Sequence, residues 1–157
     1  MKKITILVAT LLMMTIAAQA QAIQKIIDKY SNDERFTYVS VGSGLIDLGM
    51  SFLGDKVEGL GKDALSKMKG IRVLTFESET DEKVMKSVVD ELTKVIRADS
   101  KAETLVESRS KGETTNIYFT SEGLLIVNKS AKELSVVCIL GEISKKWLKE
   151  LVEKNKE

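Results

Sequence analysis

Four carboxylates stand close together at Glu77, Glu79, Asp81 and Glu82, a spacing that could gather oxygen ligands around a divalent cation. The run has neither the spacing nor the obligatory glycine of an EF-hand. Acids in the first turn of a helix also complement its dipole and free N–H groups, which accounts for the same residues without a metal. Cys138 is the only cysteine and lies within "VVCIL". A reactive thiol needs exposure and positive neighbours; this one has aliphatic neighbours, so a buried structural thiol is expected. Arg109 and Lys111 flank a turn where an anion could sit, but solvated turn charges are the expected role. The chain contains no histidine. A Ser-His-Asp triad, a Cys-His pair and imidazole metal ligation are thereby excluded. Carboxylate or lysine chemistry stays open, yet the balance leans against an enzyme, and no cofactor or metal is expected.

The stretch from Val39 to Gly70, "VSVGSGLIDLGMSFLGDKVEGLGKDALSKMKG", holds seven of the ten glycines. A dinucleotide-binding loop needs G-x-G-x-x-G, because each glycine lets backbone approach the pyrophosphate. Gly42-Ser43-Gly44 begins that pattern, but Asp47 occupies the third glycine's place and would repel a phosphate. A P-loop fails too: Lys56 stands where its first glycine belongs, and Gly61-Lys62 is followed by Asp63. What remains is amphipathic. Leu45, Leu48 and Phe52 share a face, with Ile46, Met50 and Leu53 beside them. Each glycine inside a helix costs about 1 kcal/mol against alanine, so this helix is weak. It is either an imperfect crossover helix closing the core or a pliable segment that meets a partner. In the second role Leu45, Leu48, Met50 and Phe52 are the candidate partner-binding residues.

The elements around these residues follow from periodicity. Ile23, Ile26, Ile27 and Tyr30 give "IQKIIDKY" one apolar stripe at helical spacing. "FTYVSVG" and "IRVLTFES" alternate and are rich in β-branched and aromatic residues, as strands are. Thr80 or Asp81 caps a long helix whose stripe is Val84, Val88, Leu92, Val95 and Ile96. Beyond Glu103 the period becomes two, and "ETLVESRS", "TTNIYFTS", "LLIVNKS" and "ELSVVCIL" are joined by connections short enough only for hairpins. Gly123 takes a left-handed position in one of them. "LSVVCILG" is apolar on both alternations and reads as an interior strand covered on both faces. Ser144 caps a last helix with Ile143 and Leu148 as a hydrophobic staple and a stripe of Trp147, Leu148, Leu151 and Val152. The order predicts an α+β two-layer sandwich. Its mixed sheet has about six strands, a β-helix-β unit followed by a four-strand antiparallel meander, with helices mainly on one face.

Met1-Lys2-Lys3, the uncharged run "ITILVATLLMMTIAA" and Ala18-Gln19-Ala20 follow the plan of a secretory signal peptide. Residues 1–20 are therefore expected to be removed, with a second cleavage frame after Ala22. Residues 21–157 are expected to form a single domain with no membrane-spanning segment. No cysteine lies near the cleavage site, so the product is expected in the periplasm or outside the cell, and not as a lipoprotein. Losing Lys2 and Lys3 from 24 basic residues against 23 acidic ones leaves a net charge of −1. That balance gives no electrostatic ground for binding nucleic acid or anionic lipid.

The segments "FTYVSVG", "IRVLTFES", "NIYF…GLLIVN" and "LSVVCILGEIS", with a closing amphipathic helix, resemble the family described as domain of unknown function 4252. The resemblance runs from about Ile23 to about Val152. It implies a small exported protein of a Gram-negative bacterium, with no established chemistry and no functional residues to carry over. Many members of that family are lipoproteins, and this chain lacks the lipid-bearing cysteine. The functional expectation is a non-catalytic binding or regulatory domain of the cell envelope, with a protein partner. The alternative is a small-ligand-binding protein or a carboxylate- or lysine-dependent envelope enzyme.

Overall fold

A computed structural model describes residues 21–53, 66–146 and 148, with the backbone alone for residues 49–53. The elements in chain order are α1 (Ala22–Ser31), β1 (Phe36–Gly42), α2 (Ser43–Leu53), β2 (Met68–Glu77), α3 (Glu82–Ala98), β3 (Glu103–Ser110), β4 (Glu113–Thr120), β5 (Gly123–Lys129) and β6 (Glu133–Gly141). Six strands form one sheet in the order β1-β2-β6-β5-β4-β3. The α+β sandwich, the strand count and the four-strand meander are as the periodicity implies.

The sheet is not mixed, however. Every neighbouring pair is antiparallel, β1 with β2 included. A parallel pair would need a helix long enough to carry the chain back along the sheet. Here α2 follows β1 without a break, and β2 starts beside the end of β1, with Gly42 opposite Gly70. The β-helix-β unit is thus a hairpin with a helical insert, and crossover handedness does not arise.

One sheet face carries α1 and α3. Ile23, Ile26, Ile27 and Tyr30 of α1 are all buried, as their spacing dictates. On α3 the buried residues are Met85, Val88 and Leu92, with Val84, Val95 and Ile96 packed at the margin. They close on Phe36, Leu74, Phe76, Leu125, Val127 and the alternate residues Leu134, Val136, Cys138 and Leu140 of β6. Burying each large aliphatic side chain contributes about 1.5–3 kcal/mol. Tyr30, Phe36 and Phe76 pack in series at centroid distances of 5.1 and 4.9 Å. The Tyr30 hydroxyl donates to Glu91 Oε1 at 2.7 Å, and Lys29 Nζ donates to the same oxygen at 2.7 Å, clasping α1 to α3. Burial pushes the Glu91 carboxyl up, but those two hydrogen bonds and the Lys29 charge outweigh it, and the net shift is downward.

Neither expected cap starts α3 with its own side chain. Asp81 holds the cap position without a side-chain bond, and the Ser78 hydroxyl instead accepts the N–H groups of Thr80 (3.2 Å) and Asp81 (3.1 Å). The turn before β5 is as expected: Gly123 has φ +138°, and a Cβ there would lie 2.0 Å from the Ile139 carbonyl oxygen. In β6, an interior strand, Val137 and Ile139 are half-buried, so the expected cover on both faces is complete on one only. Leu148 is half-buried and its N–H donates to the Ser144 carbonyl at 3.3 Å. Residues 1–20, Trp147, Leu151 and Val152 lie outside the described residues.

Candidate functional site

Cys138 sits at the centre of the core, 1% exposed. Burial pushes its thiol up to about 12, with the nearby Glu122 charge adding to the effect. A thiol so protonated is no nucleophile at neutral pH. The carboxylate run is dispersed: Glu79 pairs with Lys132 at 2.7 Å, and Asp81 with Arg35 at 3.4 Å. Among the described residues no group of three or more carboxylate or thiol side chains is arranged to hold a metal ion. Glu77, Ser78, Glu79, Lys132 and Glu133 do line a depression of about 430 Å³ at the sheet end. It is shallow, and the Glu79 and Lys132 side chains are 76% and 69% exposed, so their ion pair is worth little. Arg109 pairs with Glu107 at 2.8 Å on an exposed hairpin.

The opposite sheet end is built differently. The insert at the end of β1 begins with α2, which touches β1 and β2. Leu45 and Leu48 are 60% and 53% exposed there, a far larger fraction than leucine usually shows in a folded domain. Met50 and Phe52 follow on the same helix, their side chains outside the described residues. α2 has no acidic residue in its first turn and no basic residue in its last to complement its dipole. A Cβ at Gly44 would meet nothing within 4 Å. Among the described residues that glycine serves no packing need.

Strand register adds a feature that the sequence reading did not single out. On the face away from α1 and α3, Val39, Val73, Val137, Ile126, Ile117 and Val106 lie side by side across all six strands. A second row beside it runs Val41, Ile71, Ile139, Leu124 and Phe119, ending at Glu103. Farther along, the row Thr37, Thr75, Ser135, Asn128, Thr115 and Ser108 is polar throughout. This second face is therefore apolar toward the α2 end and polar toward the other. Each interior strand announces it by carrying apolar residues at both parities over half its length. Only the register shows that these halves align.

The two sheet edges differ as well. β3 is exposed along its whole length and carries Glu103, Glu107 and Arg109, with a register irregularity between Thr104 and Val106. Charges and bulges deter pairing with another strand. β1, the other edge, contains no charged residue.

Among the described residues no helix is long and apolar enough to cross a membrane. A profile of one protein family, described as Domain of unknown function (DUF4252), matches residues 30–151. Neither the curated proteins nor the solved structures contain a match to the chain.

Proposed function

The chain belongs to the DUF4252 family, and from that premise we propose that it is an exported, non-catalytic binding domain of the cell envelope that meets a protein partner through α2. The observation that carries this reading is the exposure of Leu45 and Leu48 on a helix that its own residues stabilise poorly. Covering each leucine with a partner would contribute about 1.5–3 kcal/mol at most, before the ordering of α2 is counted. β1 precedes α2 directly, and an uncharged edge strand offers unpaired N–H and C=O groups. Another polypeptide strand satisfies both kinds of group, whereas an acyl chain satisfies neither, which favours protein over lipid as the partner.

Crosslinking in intact cells followed by mass spectrometry tests the reading. Wild type should yield one specific envelope protein, and Leu45→Lys with Leu48→Lys should lose it while keeping the native circular dichroism. Free monomer alone under several growth conditions, or recovery in the cytoplasm, overturns the proposal. The depression lined by Glu77, Glu79 and Lys132 supports a second reading, a small polar ligand. Chemical-shift changes confined to residues 77–79 and 132–133 on adding such a ligand would favour it over the first.

A further inference from the structure

The two apolar rows of the second sheet face need an occupant, and we propose that it is the chain's own C-terminal segment, residues 144–157, lying across them as a third layer. Three observations lead there. First, the chain leaves β6 at Gly141, buries Ile143 to 5% exposure, and brings Lys145 onto this face. Lys145 Nζ stands 5.4 Å from the Phe119 ring centroid and pairs with the Glu103 carboxylate, both members of the second row. Second, Leu124 is 8% exposed although its register turns it away from α1 and α3, and it takes no part in the core those helices close. Something on the second face shields it. Third, Trp147, Leu148, Leu151 and Val152 recur at helical spacing, and Leu148 is already half-buried. As a helix at about 1.5 Å per residue, 144–157 spans about 21 Å. Six strands at about 4.8 Å present rows about 24 Å wide, so the lengths agree. Lys146 and Lys149 would then keep to the solvent side. The inference is independent of any partner at α2.

Trp147 is the only tryptophan, so its fluorescence reports on this docking alone. In the mature chain, residues 21–157, its emission should be blue-shifted and shielded from acrylamide. Val137→Lys, in the middle of the first row, should shift the emission to that of a solvated indole. Leu148→Lys with Leu151→Lys should do the same from the tail's side without touching the sheet. In both variants Cys138 should stay protected from thiol reagents, which separates undocking from unfolding. Solvent-like emission in wild type overturns the proposal, as does emission unmoved by either variant. A blue-shifted signal that is lost on dilution also overturns it, because a second copy would then be the occupant.

Discussion

Glu122 shows how one residue of a turn can govern a distant helix. Gln21 occupies the cap position of α1 without a side-chain bond, and Glu122 fills the role from between β4 and β5. It accepts the Ile23 N–H at 2.8 Å and the Gln24 N–H at 3.1 Å. Replacing it with alanine leaves two donors unmet and should lower stability by about 1–2 kcal/mol in denaturant melts. The same residue is buried, and desolvation pushes its carboxyl above its ordinary value despite those two hydrogen bonds. Its protonated form is therefore favoured by folding. That contribution is full below the unfolded-state value and is lost as pH rises through the raised one. Relative to Glu122→Gln, wild type should have its largest advantage in acid and lose part of it on approach to neutrality. An advantage that grows with pH would show the carboxylate to be the favoured form instead. No pattern in "TSEG" announces this cap, because its partner lies about a hundred residues earlier in the chain.

α2 is an element whose sequence argues against itself. Gly44 is helical, a Cβ there meets nothing within 4 Å among the described residues, and it replaces a residue that would favour the helix. Gly44→Ala should therefore stabilise the domain by about 0.5–1 kcal/mol, read as a rise in melting temperature. If the partner recognises α2 as a helix, the same substitution strengthens binding by removing ordering cost; weaker binding would mean that the bound form is not helical. The amphipathic pattern and the glycine burden of α2 were both legible in the sequence. Its placement as a hairpin insert was not, because periodicity is blind to the direction in which the next strand returns. The stripes of α1 and α3 were legible for the opposite reason: a helix that buries one face must repeat its apolar residues with the helical period.

At the scale of the molecule, β2 and β6 form the seam that joins the N-terminal half to the meander, with Leu74 opposite Val136 and Arg72 opposite Cys138. Leu74 is 1% exposed, and Leu74→Ala should remove about 2–5 kcal/mol. Cys138 reports the consequence. Buried and held protonated, it should react with thiol reagents only through opening of the whole sheet, so its labelling rate should rise in step with that loss. Rapid labelling of native wild type would show that the seam opens locally. By itself the sequence determined the class of fold, the buried stripes, the meander and the exclusion of histidine chemistry. Each of these is local, being set by residue type or by spacing within one element. Tertiary structure alone decided that β1 and β2 run antiparallel, that Glu122 caps α1, and that apolar residues from six strands align in rows on the second face. Those facts depend on pairings between residues far apart in the chain, where register rather than periodicity determines which side chains meet.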